Sequence, residues 1–376
     1  MRILIYGGSF DPVHNGHKKL LAAALKKIKP DLCYVFVAYN SPFKEMSPTP
    51  YALRKEMARQ AFTPLCKDIV FDDFEFKKQR KVYTYETIKY LKQKYKKAEI
   101  FVLVGTDCAL TLPSWQQAEY NFKNATFVIG LRQGFKMPKV QFNAIILKDV
   151  LPKISSTSLR LQIMLNGKTP KTMPTEITEI INKNLLYSLD IHAWLKAHLL
   201  APRYNHTLAV AKEAVALAQR FNEDSYNACL AGLLHDSGKG LNKEQMVVYA
   251  KRNKLKVEDF DDLCKYAPAL LHADISAHLA QNKFKIQNKN ILQAIARHTL
   301  GAKDMTVLDK ILMVADMSAK GRRPQDIKFI KNALKKSLDA GLLAAEKVKL
   351  LYTVQTGKWL APQGIKLWNE TLLKNK

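Results

Sequence analysis

ILIYGGSFDPVHNGH, residues 3–17, runs from an apolar segment through a glycine pair into a turn that carries two histidines three residues apart. Ile3, Leu4, Ile5 and Tyr6 read as a short buried strand, because an apolar run of this length bounded by turn residues fits a strand better than a helix. Gly7 and Gly8 let a ligand approach the backbone closely. A helical pattern follows near Lys18 to Lys27, so His14 and His17 stand where free N–H groups and the positive end of the helix dipole gather. That is a place for phosphates. Two imidazoles there can bracket the α-phosphate of ATP and stabilise charge as the bond to pyrophosphate breaks.

Outward from this stretch, β-rich runs alternate with amphipathic helical runs up to about residue 186. The strand candidates are MRILIYG, CYVFVAY, DIVFDDFEF, EIFVLVG, ATFVIGL and AIILK, and further helical segments fall near Ala52 to Ala61, Tyr85 to Lys96 and Ser158 to Leu165. Alternation of this kind predicts an α/β domain, a parallel sheet covered by helices on both faces with ligands at the carboxyl ends of the strands. From about residue 189 the strand signal stops. Leu208, Ala211, Val215 and Ala218 fall on one helical stripe, and the second half reads as all-α. The boundary is expected near LLYSLD, after GKTPKTMPTE, giving domains over residues 1–188 and 189–376.

A chain of 376 residues exceeds the usual reach of one hydrophobic core, which also favours two domains. The formal net charge of +27 invites a nucleic-acid reading, yet only 12 of the 60 basic residues are Arg. Scattered Lys marks solvated helix faces more than phosphate or base recognition, so no nucleic-acid partner is expected, although the charge would attract anionic nucleotides. Five dispersed cysteines without metal or disulfide spacing read as reduced thiols of a cytoplasmic protein. The apolar segment Ile3 to Tyr6 is too short for a signal peptide, and no uncharged apolar stretch reaches membrane-spanning length. Homo-oligomerisation is left open.

The stretch His14, Asn15, Gly16, His17 resembles the H-x-G-H signature of the nucleotidylyltransferase superfamily, whose fold is a Rossmann-like parallel sheet. ISSTSLR is a second match: Ser156 and Thr157 at a helix start, with Arg160 one turn in, would cradle the outer phosphates of ATP. Within that superfamily, residues 1–188 resemble bacterial nicotinate-nucleotide adenylyltransferase through NSPFK, VYTYETI, GTDCALTLPSW, LRQG and INKNLLY. The resemblance implies adenylyl transfer from ATP to nicotinic acid mononucleotide with Mg²⁺. It implies contacts to ATP from Gly7, Gly8, Ser9, Phe10, Gly105 and Asp107, and contacts to the mononucleotide from Lys44, Thr84, Trp115 and Arg132. His14, His17, Lys44 and Arg160 would carry the chemistry. Ser9 stands where Thr is common and Gln133 where Pro is common, the latter leaving the loop after Arg132 less rigid. Trp115, following Pro113 and Ser114, equally suits core packing.

In the helical half, His206, His235 with Asp236, His298 and Asp316 occur in apolar helical runs, the last three at run ends. Buried there, such groups would cost several kcal/mol each without partners, and a shared divalent ion supplies them. An imidazole and carboxylate donor set without Cys suits Fe²⁺, Mn²⁺ or Co²⁺ rather than structural zinc. The order H, HD, H, D resembles the HD phosphohydrolase superfamily. LAGLLHDSGK, LLHADISAHLA, AIARHTLG and LDKILMVADM resemble its bacterial symmetrical diadenosine tetraphosphatases over residues 190–365. The resemblance implies a metal pair, with His272 and His298 on the second ion and Asp236 catalytic. It also implies water attack that splits diadenosine tetraphosphate into two ADP. Lys239 and Arg322 are candidates for the polyphosphate, or solvated surface charges; Asp309, next to Lys310, is expected at the surface. Against this two-enzyme reading stand a helical half that senses nucleotides without turning them over, or cleaves another phosphate ester, and a basic RNA-binding protein on an old nucleotide fold.

Overall fold

Val, Ile, Phe and Tyr dominate six runs of the first half, and all six become strands of one sheet. The computed structural model describes residues 1–39, 49–132 and 142–374. These form two units, Met1–Ile163 with Lys168–Tyr187, and Met164–Gly167 with Ser188–Lys376.

The first unit runs β1 (Arg2–Gly8), α1 (Asn15–Ile28), β2 (Leu32–Val37), α2 (Tyr51–Phe62), β3 (Ile69–Asp72), α3 (Phe74–Lys77), α4 (Thr84–Lys94) and β4 (Glu99–Gly105). It continues through α5 (Thr106–Ala109), α6 (Ala118–Asn124), β5 (Thr126–Arg132), β6 (Ala144–Leu151), α7 (Ser156–Asn166), whose last turn falls in the second unit, and α8 (Thr175–Lys183). Every pairing is parallel and the spatial order is β3-β2-β1-β4-β5-β6. The chain therefore builds outward in one direction from β1 and in the other from β4, and a crevice opens at the carboxyl ends of these two strands. Tyr6 faces Leu103 in the register, so Gly7 and Gly8 end beside Gly105. Ile3, Ile5, Ile100, Val102, Phe127 and Ile129 alternate onto one buried face.

Two element boundaries differ from the sequence expectation. The third strand stops at Asp72 rather than continuing through Phe76, because the Asp72 carboxylate accepts the Phe74 N–H at 2.8 Å and turns the chain into α3. Helix α7 starts at Ser156 rather than Ser158: Ser155 is its cap, its hydroxyl accepting the Ser158 N–H at 3.1 Å.

The second unit is helical. Its elements are α9 (Leu189–His198), α10 (Ala201–Arg220), α11 (Ser225–Leu234), α12 (Lys243–Arg252), α13 (Phe260–Tyr266) and α14 (His272–Asn282). They are followed by α15 (Lys289–Arg297), α16 (Val307–Ser318), α17 (Pro324–Leu334), α18 (Leu338–Gln355) and α19 (Pro362–Lys374). Ala228 through Leu234 of α11 are all buried, the pattern of a helix enclosed by others.

Gly232 sets how closely α11 and α10 approach. A Cβ there would stand 2.6 Å from the Cα of Ala211 and 3.0 Å from its nitrogen, backbone atoms that cannot turn aside. Helix propensity alone would favour Ala over Gly by about 1 kcal/mol. The backbone clash outweighs it, so Gly232→Ala is expected to destabilise the helical unit by about 1–3 kcal/mol, as overpacking does. A denaturant midpoint equal to or above that of the parent would show that the two helices can separate without cost.

Candidate functional site

At the head of α1 the two histidines of the opening motif lock each other. The His17 N–H donates to His14 Nδ1 at 3.3 Å and the His14 N–H donates to His17 Nδ1 at 3.2 Å, a reciprocal capping box with the rings stacked at 3.7 Å. Each Nδ1 accepts, so each neutral ring carries its proton on Nε2. The pair is built to donate, which suits an anion at the crevice. A Cβ on Gly7 would meet nothing within 4 Å, so space lies open above the end of β1.

The second phosphate motif ties into this loop. Arg160 Nη1 donates to the Asp11 carbonyl at 2.6 Å and Nη2 to Thr157 Oγ1 at 3.4 Å, while the Ser156 hydroxyl donates to the Pro12 carbonyl at 2.9 Å. Ser156 and Thr157 are the first residues of α7, not residues preceding it. Tyr187, at the end of the INKNLLY stretch, donates to Asp11 Oδ1 at 2.6 Å, and burial and the Asp11 charge push its phenol upward.

Gly105 ends β4, and the Asp107 carboxylate folds back to within 2.8 Å of where a Gly105 Cβ would stand. Thr84 opens α4 at the carboxyl edge of the sheet. Trp115 packs edge-on against buried Phe127 at 6.4 Å and donates to Thr111 Oγ1 at 3.1 Å, so its ring is part of the core wall. The Phe10 ring is buried and meets the rings of His17 at 5.4 Å and Phe62 at 5.3 Å. Arg132 ends β5; its side chain, and Lys44 altogether, lie outside the described residues.

Arg54 was not legible as part of this site. Buried at 2% exposure, its guanidinium donates to the carbonyls of Thr49 (3.0 Å), Ser9 (3.0 Å), Ala38 (2.7 Å) and Tyr39 (3.4 Å), splinting the loops that leave β1 and β2. Desolvation lowers its pKa.

In the helical unit the six expected metal-ligand residues converge. His206 comes from α10, His235 ends α11, Asp236 follows it, His272 opens α14, His298 ends α15 and Asp316 lies in the last turn of α16. Two triads, His206–His235–Asp316 and His235–Asp236–His298, each have their ligand atoms within 4.8 Å of one another. His206 Nε2 stands 2.8 Å from Asp316, and His272 Nε2 stands 3.2 Å from both Asp236 and His298 Nε2.

Three imidazoles are aimed alike. The Nδ1–H groups of His235, His272 and His298 donate to the carbonyls of Gly232, Ala269 and Ile295, each at 2.7 Å. A carbonyl can only accept, so each neutral ring turns its Nε2 lone pair toward the centre. The His235 Nε2 is buried with no hydrogen-bond partner, and lone pairs of His272 and His298 face each other. Burial lowers the pKa of His272 and, together with its His neighbours, lowers that of His298 well below the usual value. Burial opposes ionisation of Asp236 and Asp316, but the surrounding imidazoles, with Arg322 beside Asp316, hold both carboxyls well below the ordinary range. Neutral lone pairs and ionised carboxylates around one point are the donor set of a divalent ion.

Positive side chains enclose that centre. Arg203 pairs with Asp236 at 2.8 Å, and Arg322 pairs with the Asp316 carboxylate at 2.5 Å while its Nε donates to the Asp316 carbonyl at 2.9 Å. Arg322 therefore holds a ligand rather than standing as a solvated charge. Lys239 and Lys349 are half-buried; Lys239 donates weakly to the Ala269 carbonyl at 3.4 Å, and Lys349 donates to the Thr299 carbonyl. Asp309 corrects another expectation. It is fully buried, accepting from Gln293 at 2.9 Å, Arg297 at 3.1 Å and the Thr306 N–H at 3.0 Å, while Lys310 reaches Asp339 instead. No helix among the described residues is long and apolar enough to cross a membrane.

Comparison with known proteins finds a separate family in each unit. Residues 5–162 match the cytidylyltransferase-like family and residues 203–319 the HD domain family. A Mycoplasma genitalium protein named "Probable nicotinate-nucleotide adenylyltransferase/Ap4A hydrolase" is 30% identical over 86% of this chain and 89% of its own length. A nicotinate-nucleotide adenylyltransferase relative from Aliarcobacter butzleri, also named as probable, is 33% identical over 48% of this chain and 95% of its own. A symmetrical bis(5'-nucleosyl)-tetraphosphatase from Halalkalibacterium halodurans is 29% identical over 48% of this chain and 95% of its own.

The depressed imidazoles fix how metal binding responds to acid. A lowered pKa means that protons compete for the Nε2 lone pairs only at lower pH than they would for a free imidazole at about 6.5. Mn²⁺ loaded on the protein should therefore be displaced by acid at a lower pH than Mn²⁺ held by exposed imidazoles, as followed by the resonance of free Mn²⁺. Release centred at or above about 6.5 would mean that these rings titrate as exposed histidines do.

Proposed function

The chain belongs to the family of two-domain proteins represented by the Mycoplasma genitalium nicotinate-nucleotide adenylyltransferase/Ap4A hydrolase, and from that premise we propose that it is a bifunctional enzyme. Its α/β unit transfers the adenylyl group of ATP to nicotinic acid mononucleotide, yielding the deamido dinucleotide and pyrophosphate. Its helical unit hydrolyses diadenosine tetraphosphate to two ADP.

The observation that supports the first activity is the capping box of His14 and His17 beside the open end of β1. In the transfer, a phosphate oxygen of the mononucleotide forms a bond to the α-phosphorus of ATP as the bond to the β-phosphate oxygen breaks. The mononucleotide itself is the nucleophile, so the residues align and stabilise charge. The Nε2–H groups of His14 and His17 donate to the α-phosphate oxygens. Arg160, Ser156 and Thr157 at the head of α7 hold the outer phosphates, with Mg²⁺ accompanying ATP. Thr84, Trp115, Lys44 and Arg132 receive the mononucleotide, and Asp107 and Gly105 face the ATP side.

For the second activity, the supporting observation is the convergence of three Nε2 lone pairs and two carboxylates. His206, His235, Asp236, His272, His298 and Asp316 would hold a pair of divalent ions, which we take to be Fe, Mn or Co from the donor set. When bound, such ions supply Lewis-acid charge and lower the pKa of water. Arg203 and Arg322 keep the two carboxylates ionised and fixed, and Lys239 adds positive charge toward a polyphosphate. Water oxygen bonds to phosphorus, the bridging P–O bond breaks, and ADP departs.

Purified protein given ATP and Mg²⁺ should use nicotinic acid mononucleotide faster than phosphopantetheine, and given diadenosine tetraphosphate it should release ADP in a metal-dependent way. Preference for phosphopantetheine, or no ADP with Fe²⁺, Mn²⁺ or Co²⁺, would remove the corresponding half of the proposal. His17→Ala should lower kcat of the transferase by about 10² to 10³, the range for one lost charge-stabilising donor. Asp236→Ala should bring hydrolysis to background and leave adenylyl transfer within about twofold, because the residue belongs to the other unit. Loss of both activities in a folded Asp236→Ala protein would contradict independent sites.

A further inference from the structure

Beside the metal-ligand cluster, the helical unit contains a recess of about 490 Å³, open solvent at its mouth included. Its wall is mostly apolar, with Leu300, Met313 and the indole of Trp359 among the lining residues. Trp359 is itself stacked on Tyr266 at 5.8 Å. Thr299 belongs to both recess and cluster: it lines the one, and its Oγ1 lies 3.1 Å from His298 Nε2 and 3.3 Å from His272 Nε2. Lys349, a second lining residue, donates to the Thr299 carbonyl. A molecule with phosphate at the metal ligands thus has an apolar chamber next to it.

Glu346 is the feature that the metal centre does not use. It lines the recess one helical turn before Lys349, at 3% exposure. Its Oε1 accepts from Thr371 at 3.3 Å, whereas its Oε2 is buried with no hydrogen-bond partner. Burial pushes the carboxyl up to about 8, so at neutral pH it is mainly a neutral acid. An acid in that form presents an O–H donor beside a carbonyl acceptor. An adenine edge presents the complement, a ring nitrogen that accepts beside an amino group that donates. An unpartnered polar atom in an apolar chamber costs about 1–3 kcal/mol unless a ligand satisfies it.

We propose that this recess is the nucleoside subsite of the hydrolytic centre, seating an adenine whose amino edge is read by Glu346 while the attached phosphates reach the metal ligands past Thr299 and Lys349. The assignment rests on the helical unit acting on adenine nucleotides. It makes Glu346 a specificity-determining residue that takes no part in the bond-breaking step.

The test is calorimetric titration of the full chain, loaded with Mn²⁺, with ADP and separately with inorganic pyrophosphate. The binding component that disappears in Asp236→Ala defines the helical unit's site. Glu346→Leu should weaken ADP in that component by about ten- to a hundredfold, the loss of a paired polar edge, and leave pyrophosphate within about twofold. Glu346→Gln should keep ADP within about threefold, because a carboxamide presents the same donor and acceptor pair. Should Glu346→Leu fail to fold, Leu300→Trp, which narrows the recess, is expected to discriminate against ADP in the same way. The proposal is overturned if that component binds ADP no more tightly than pyrophosphate, if Glu346→Leu weakens both alike, or if it weakens neither. A parent protein that cleaves no diadenosine tetraphosphate but shows the ADP pattern would overturn the hydrolase reading while leaving the subsite standing.

Discussion

For His14, His17, His235 and His298, which ring nitrogen carries the proton follows from which end of a helix the histidine occupies. His14 and His17 sit at the start of α1, where N–H groups lack intrahelical partners, and backbone N–H groups donate to their Nδ1 atoms. His235 and His298 close α11 and α15, where carbonyls lack partners, and their Nδ1–H groups donate to those carbonyls. His272 reaches the same state against Ala269, in the 3₁₀ turn that precedes α14. The first arrangement turns N–H donors outward and fits anions; the second turns lone pairs inward and fits cations. One side-chain type therefore builds two sites of opposite polarity, with the backbone supplying the difference.

Arginine and lysine divide the remaining electrostatic work. Three arginines at the sites are splints: Arg54 holds four carbonyls, and Arg203 and Arg322 each fix one carboxylate of the metal-ligand set. A planar fork with several donors in fixed geometry suits that role. The lysines at the helical site are different, because burial and the neighbouring arginines lower the pKa of Lys239 and Lys349, the latter to about 8. Each is a charge kept partly out of water, which strengthens its pull on a phosphate entering the same space. The net charge of +27 favours anions at long range, and these half-buried lysines add positive charge beside the metal-ligand residues.

The sheet was legible because parallel strands buried on both faces read as continuous Val, Ile and Phe runs, and the six expected runs are the six strands. The first histidine pair was legible from its turn between a strand and a helix, and the helical-half set because histidines ending apolar runs conflict with burial unless something satisfies them. Boundaries set by side-chain capping were not. Asp72 and Ser155 each redirect a hydrogen bond over two or three residues, a choice that composition does not reveal. Arg54 escaped because nothing in ALRKEM marks which of its cations turns inward. Asp309 could have been found from helix phase: it stands three residues before buried Leu312 and seven before Asp316 on α16, so its position next to Lys310 was the weaker signal.

The two sites also differ in what they cost the fold. In the α/β unit the paired histidines satisfy each other's backbone groups, so the site strands none of those groups. In the helical unit a buried His235 nitrogen lacks a hydrogen-bond partner, the Nε2 atoms of His272 and His298 stand 3.2 Å apart, and two buried carboxylates are held ionised. Arg203 and Arg322 donate to the carboxylates, and among the described imidazoles only His272 and His298 have the Thr299 hydroxyl within 3.3 Å of Nε2. The part of the cost that remains is the part a cation removes. Metal binding and folding are therefore linked in the helical unit through its nitrogens more than through its carboxylates, whereas nucleotide binding in the α/β unit adds contacts to a site already satisfied.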